Sequence, residues 1–316
     1  MTMDHALSSP GLGPGMFFLE RGWLSANNVI FVDDDSAAIV DTGYCVHAEQ
    51  TVTLVENSIG TRPLTRILNT HLHSDHCGGN AALQARWPHL QTWIAPGQLQ
   101  HVRAWDPAAL SYTPTGQECP RFHADHVLEP GTEINLGQQR WQVHAAPGHD
   151  PHSIILFEPQ QRTLISADAL WENGFGVVFP EIEGEQAFAE VAATLDVIEA
   201  LQPSLVLPGH GPKFSDVTQA LAIARKRLHG FMESPLRHAR YAAKVLLKYK
   251  LLEWQQLPLQ QVQGWCVNTP YVGMLHERYF AAQSLENWLG TLIEELVSSK
   301  AAAVEQQDGV LLLCNR

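Results

Sequence analysis

The 316-residue sequence contains no Cys-x-x-Cys pair. Its five cysteines, Cys45, Cys77, Cys119, Cys266 and Cys314, are odd in number and scattered. That pattern excludes a disulfide framework and a zinc–thiolate site and fits reduced thiols. Positive charge is scarce as well. Twenty Lys and Arg stand against 33 Asp and Glu, a formal net charge of −13, and avid nucleic-acid binders need a basic surface. No apolar run reaches the roughly 18–20 residues of a membrane span. Residues 1–15 lack a basic stretch followed by an apolar core, so no secretory signal is expected and the reading is a cytoplasmic protein. Fixed-period repeats and low-complexity tracts are missing too. The remaining balance, 45% hydrophobic and 17% charged residues, is ordinary for a globular chain.

What is abundant is histidine, 16 residues, several of them beside Gly, Pro and Asp in turns. Charge is uneven: residues 213–250 hold nine Lys or Arg and two acids, Asp216 and Glu233. That segment reads as a solvated helix face or, alternatively, as a basic rim for an anionic substrate. The first half of the chain alternates short apolar runs with turns. Strands are expected at 17–20, 28–32, 37–40, 66–69, 90–94, 131–135, 140–145, 153–157, 162–165 and 204–207. Helical spacing marks 47–59, 79–87, a stretch near 98–105, and 185–201, where Phe188, Val191, Leu195 and Ile198 share one face. Residues 106–126 read as a long loop with Pro107, Pro114, Gly116 and Pro120, and loops of that length are usually functional or mobile. Beyond about Pro212 the texture turns helical, at 216–232, 236–252, 258–265 and 281–297, with a closing strand at 309–314. The division expected is a catalytic domain over 1–215 and a mostly helical module over 216–316, winged-helix-like with the closing strand as its wing.

The chemistry concentrates in His71-x-His73-x-Asp75-His76. Three imidazoles and a carboxylate within six residues are the normal ligand types for zinc and similar divalent ions. A helix would splay His71 and His73 apart, whereas a turn leaving a strand can gather all four donors. Three more donors follow the same grammar: His149, Asp168 and His210 each come just after a short strand. Four strand ends therefore present seven donors, and strand ends are where rigid scaffolds mount chemistry. Seven is too many for one ion, since a catalytic zinc takes about three protein ligands plus water. Two divalent ions fit the count, zinc first, with iron or manganese as alternatives. His71, His73 and His149 are assigned to one ion, and Asp75, His76 and His210 to the other. Asp168 bridges them, with Asp75 and Asp168 as the candidate catalytic carboxylates. A water or hydroxide between the ions is the expected nucleophile, because bound metal can bring a water pKa to about 7.

In Thr70-His-Leu-His-Ser-Asp-His-Cys-Gly-Gly79, Pro147-Gly-His149, Ser166-Ala-Asp168 and Pro208-Gly-His210, the sequence resembles the metallo-β-lactamase superfamily over roughly residues 16–215. The resemblance implies an α+β fold, a four-layer αβ/βα sandwich with two metals at one edge of its sheets. Val40-Asp-Thr-Gly43 matches the family's strand-end Asp, which implies that Asp41 supports the metal loop. The appended C-terminal module is similar in layout to the thioesterase-like and endoribonuclease-like members. Family substrates include thioesters, lactones, β-lactams, phosphodiesters and RNA, and some members are iron oxygenases or flavodiiron reductases, so fold alone does not choose among them.

A secreted β-lactamase would carry an export signal, and a flavodiiron reductase a flavodoxin domain. The glutathione-thioester hydrolases continue Glu-Tyr-Thr after the last His, where this chain reads Gly211-Pro-Lys213. His152 stands where many relatives have Gly, either as a donor beside the metal edge or as a turn histidine. Trp105, Tyr112 and Arg121 are candidate substrate contacts on the long loop. The expected activity is hydrolysis of a small-molecule ester, thioester or lactone, without a nucleic-acid or membrane partner and with homo-oligomers open. The alternatives are a phosphodiesterase or endoribonuclease and a mononuclear iron oxygenase.

Overall fold

The computed structural model describes residues 11–316. The first ten residues of the segment considered for a secretory signal lie outside the described residues. Chain contacts gather into two compact units. One takes the chain up to Leu110 and again Cys119–Leu228, and the other takes Ser111–Glu118 and His229–Arg316.

The first unit holds two sheets. The first runs β1 (Met16–Leu19), β2 (Asn28–Val32), β3 (Ala37–Val40), β4 (Leu64–Leu68), β5 (Gln91–Ile94), β6 (His126–Val127), in that spatial order. Pairing is antiparallel from β1 to β3 and parallel from β3 to β6. The second is built of β7 (Glu133–Leu136), β8 (Gln139–Ala145), β9 (Ile154–Glu158), β10 (Thr163–Ala167) and β11 (Leu205–Pro208), with β10 and β11 parallel.

Strand β2 explains the layering. All five of its residues are buried, and side chains alternate across a strand, so both faces of the sheet must be covered. Val29 and Phe31 join Val40, Leu68, Trp141, Val143, Leu156, Ile165 and Leu207 in a cluster drawn from both sheets. Ile30 and Val32 face the other way, onto Val55 and Ile59 of the helix Ala48–Ile59 and Leu83 of the helix Asn80–Arg86. On the second sheet's side, the helix Phe188–Leu201 buries Val191, Leu195 and Ile198. The result is the four-layer α+β sandwich that the resemblance implied.

Strand and helix positions differ from the expected ones mostly at their ends. Larger departures include the unexpected helices Phe179–Glu183 and Pro270–Leu275, the latter continued by a π-helical stretch His276–Phe280, and two more. A one-turn helix, Tyr112–Thr115, stands inside the expected long loop. The second unit, besides its helices, carries a three-stranded sheet in the order β12 (Gln256–Pro258), β14 (Val310–Asn315), β13 (Ala302–Gln307). Residues Glu305–Gln307 are exposed, so β13 lacks the apolar alternation that marks a half-buried strand. Its signal was the turn: Asp308 and Gly309 both have positive φ between the paired Gln307 and Val310, the two-residue hairpin turn that Asp-Gly favours. Among the described residues no helix is long and apolar enough to cross a membrane.

His238, on the helix Pro235–Trp254, is buried against Phe231 with ring centroids 4.7 Å apart. Burial pushes its pKa from 6.5 down to about 4. Above pH 6.5 the ring is neutral folded or unfolded. As pH falls from 6.5 to about 4 the unfolded chain takes up a proton that the folded chain refuses, and up to about 3 kcal/mol of stability is lost through that window. The variant His238→Gln is expected to flatten the pH dependence of the urea midpoint between pH 6.5 and 4. An unchanged slope would contradict it.

Candidate metal centre

Each donor sits where a strand has just ended. His71 follows β4 at a bend, and the extended His73 (φ −64, ψ 147) caps a single helical turn, Ser74–Cys77, that carries Asp75 and His76. The donors are thus split between a bent approach and one helical turn, which puts His71, His73 and His76 around a common space. His149 follows β8, Asp168 follows β10, and His210 follows β11.

Backbone pairing brings these ends together. Gly209 N–H donates to Ala167 O (2.8 Å), which joins the Asp168 and His210 turns, and Ile154 N–H donates to Thr70 O (2.9 Å), which joins the first sheet's metal loop to β9. Asn27 adds a clamp. Its backbone N–H donates to Gly209 O (2.7 Å) and its amide to Pro208 O (2.9 Å) and Gly211 O (2.8 Å), while Ala26 N–H donates to Asp75 O (3.0 Å). Gly209 has no room for a side chain, since a Cβ there would run into Asp168 Oδ1.

All seven expected donors meet. His73 Nδ1 lies 3.1 Å from His71 Nε2 and 2.8 Å from His149 Nε2. His210 Nε2 lies 3.1 Å from Asp75 Oδ2, and His76 Nε2 lies 3.8 Å from the same oxygen. Asp168 stands between. Its Oδ2 is 3.4 Å from His149 Nε2, and its Oδ1 is 3.4 Å from His76 Nε2 and 3.8 Å from His210 Nε2. Three groupings place their ligand atoms within 4.8 Å of one another: His71, His73 and His149; His71, His76 and Asp168; Asp75, His76 and His210.

The rings are oriented from behind. Asp41 accepts from Thr70 N (2.9 Å), Thr70 Oγ1 (2.8 Å) and His76 Nδ1 (2.8 Å). Thr70 Oγ1 in turn lies 3.1 Å from His71 Nδ1, so one carboxylate steadies His76 directly and His71 through a hydroxyl. His149 Nδ1 donates to Val177 O at 2.5 Å. For His71 and His149 the contact places the ring proton on the outer nitrogen and leaves the inner one as a lone pair, the arrangement a ligating histidine needs. On His76 the Asp41 contact fixes the outer proton, so that an ion would take the place of the inner one.

The electrostatics fit cations. Burial and the neighbouring imidazoles His76, His73 and His149 hold His71 well below the usual histidine range, and burial with His73 beside it takes His149 to about 4. Both rings are neutral donors at pH 7. Burial would raise the Asp168 and Asp75 carboxyls, but His210 and His76 outweigh it and hold both below the usual range, Asp168 well below. Burial alone would lower His76, yet Asp41, Asp168 and Asp75 raise it well above the usual range. Two buried carboxylates, Asp41 and Asp168, and the half-buried Asp75 therefore call for positive charge at this spot, and His76 Nε2 is buried without a hydrogen-bond partner. Both observations match a site for divalent ions.

The other expected site residues lie as follows. Through its backbone N–H, His152 donates to Asp150 Oδ1 (2.7 Å), while its ring rests on Gly97. Trp105 packs edge-on to Phe122, Arg121 is exposed with Nη2 3.5 Å from Arg103 O, and Tyr112 is buried within the second unit. Several neighbours of the donors were not singled out from sequence. Asp150 Oδ2 stands 3.7 Å from His73 Nε2. Phe179 lies edge-on to His73 and His149. Trp23, 56% exposed, stacks on His210 at 5.4 Å with a 6° tilt, and Trp171 Nε1 donates to Asp168 Oδ1 at 3.2 Å. A lone Trp or Asp outside a motif carries no pattern, and only the fold shows what it faces.

A strand-end cluster of five His and two Asp on a four-layer sandwich, together with the relatives of the chain, marks a metal-dependent hydrolase. Residues 21–210 match the model of the metallo-beta-lactamase superfamily, and the chain belongs to it. Among relatives, it is 27% identical over 205 residues to the probable metallo-hydrolase YqgX of Bacillus subtilis strain 168, covering 63% of this chain and 90% of that protein. It is 25% identical over 231 residues to the acyl-coenzyme A thioesterase MBLAC2 of Bos taurus, covering 63% of this chain and 79% of that one. The solved structure of the metallo-beta-lactamase family protein TTHA1429 from Thermus thermophilus superposes with a TM-score of 0.58 at 17% identity. It covers 97% of this chain and 100% of its own, which is a likeness of fold.

Proposed function

We propose that this chain is a two-metal hydrolase of a small ester, thioester or lactone. In this reading His71, His73 and His149 hold one ion, Asp75, His76 and His210 hold the other, and Asp168 is shared. The observation that carries it is the position of Asp168, whose Oδ2 faces His149 while Oδ1 faces His76 and His210. Imidazole and carboxylate suit zinc first and iron or manganese next. Such ions supply Lewis acidity toward a carbonyl oxygen and a water acidic enough to lose its proton near pH 7.

The chain's own residues supply the rest. Asp75 and Asp168 remain ionised at neutral pH; Asp168 is committed to the two sets of donors, and the Asp75 carboxylate can accept a proton. Asp41, Thr70 and Val177 O keep the imidazoles aimed inward, so no reorganisation is needed during turnover. Trp23 and Phe179 flank the donors with apolar surface that suits the acyl part of a substrate. MBLAC2's name, a thioesterase, points to the same carbonyl chemistry.

A small-molecule substrate is favoured over a phosphodiester because most of the nine Lys and Arg of the 213–250 segment are engaged by partners within the fold. Arg225 pairs with Asp196 and Glu199, Arg240 and Lys244 pair with Glu295, and Lys250 pairs with Glu253. Lys248 donates to Ala301 O. A cytoplasmic location goes with this reading.

The test is metal analysis joined to a substrate panel. Protein purified with metal is expected to hold two equivalents per chain. Chelation should abolish hydrolysis of aryl esters, acyl thioesters or lactones, and added zinc should restore it. A single equivalent of metal or less would sink the two-metal proposal. Hydrolysis of bis(p-nitrophenyl) phosphate alone would move the reading to a phosphodiesterase, and dioxygen uptake with a thiol or persulfide would move it to the iron oxygenase.

A further inference from the structure

The segment after Asp168 is folded back on itself with little freedom. Ser166 Oγ donates to Leu170 O (2.6 Å), Trp171 N–H to Gly174 O (2.7 Å) and Gly176 N–H to Asp168 O (3.0 Å). Gly174, at φ +126, lies against the Arg227 guanidinium, whose Nη1 donates to Phe175 O (3.2 Å). A Cβ on Gly176 would run into the His149 ring, and Val177 O takes the His149 proton. One loop therefore steadies His149 from behind and returns past Asp168.

Trp171 is the residue of that loop aimed at the shared carboxylate. Its indole Nε1–H donates to Asp168 Oδ1 at 3.2 Å. The ring is held edge-on to His210 (5.4 Å, 79°) and to Trp23 (5.3 Å, 73°), so the N–H is presented in a set direction. A carboxylate oxygen has two lone pairs. An indole N–H on one of them leaves the other for an ion and fixes the carboxylate's rotation, so that Oδ2 stays turned toward His149.

We infer that Trp171 is a positioning residue for metal binding, acting through the Asp168 carboxylate. The inference rests on the two-ion reading above. Outer hydrogen-bond partners of metal ligands typically contribute about 10- to 100-fold in affinity.

The experiment is zinc titration of the full chain against a chromophoric chelator, wild type beside Trp171→Phe, which keeps a ring in place and removes only the N–H. Far-UV circular dichroism and the melting midpoint of the metal-free proteins report folding. The expected result is unchanged folding with at least one of the two zinc equivalents weakened by about tenfold or more. Weakening of less than tenfold in both equivalents overturns the inference while leaving the two-ion reading intact. A wild type that binds a single equivalent overturns the two-ion reading and the inference together. Should Trp171→Phe fail to fold, site-specific 3-benzothienylalanine at 171, with sulfur in place of N–H in the same bicyclic shape, is judged by the same criterion.

Discussion

Asp168→Ala is expected to lower kcat/KM by about a thousandfold or more and to reduce bound metal from two equivalents to one. Asp168 is buried, and its two oxygens face donors on opposite sides, His149 at 3.4 Å and His76 at 3.4 Å. In the two-metal reading the two sets then lose their common ligand, and only Asp41 and the half-buried Asp75 remain to balance bound cations. A metal ion's charge stabilisation is worth several kcal/mol in the transition state, and each 1.36 kcal/mol is tenfold in rate; a loss of about 4 kcal/mol is the thousandfold. Metal content by atomic emission and kcat/KM on the best substrate of the panel are the measurements. Asp168→Asn keeps the shape but not the charge, so comparable losses in both variants would assign the effect to charge. Two equivalents and full activity in Asp168→Ala would remove Asp168 from the site.

Asp41→Ala is expected to be the most damaging single change to stability, costing about 3–5 kcal/mol, the range for removing one partner of a buried ionic contact. Asp41 is buried in the left-handed region, φ +56, which Asp tolerates better than most residues. Removing its carboxylate strands three buried donors at once: Thr70 N–H, Thr70 Oγ–H and His76 Nδ1–H. Each unsatisfied group costs about 1–3 kcal/mol. Asp41→Asn separates the contributions, since it suits the same backbone and offers one acceptor oxygen instead of two. Urea denaturation of the metal-free proteins is the measurement. A loss under about 1 kcal/mol for Asp41→Ala would mean that water replaces the carboxylate.

The donors were legible because their signals are local. His71 to His76 lie within six residues, and His149, Asp168 and His210 each follow a recognisable strand with Gly or Ala beside them. Asp41, the residue after β3, was picked out only by the family resemblance of Val40-Asp-Thr-Gly43. What holds the donors in place was not legible. Asn27 grips Gly211, 184 positions away, and Arg227 grips Phe175, 52 positions away. Such contacts are made by the fold and leave no periodicity in the chain. The strands of the first unit were legible as short apolar runs between turns, and their four-layer arrangement came from the family resemblance. In the second unit β13 was missed because its outer residues are polar on both faces, although the Asp308-Gly309 turn beside it could have been read.

Arg227 bears on where the protein can be cut. A fragment ending at residue 215 would retain every donor and every motif, and by sequence it would look complete. It would lack the guanidinium that braces Gly174 and Phe175, and with it the brace of the loop that carries Trp171 and Val177 O. Cutting within the helix Val217–Glu233 before Arg227 would have the same effect. A shortened catalytic piece meant for engineering would have to run past Leu228, so the smallest portable form of this metal centre is longer than its signature.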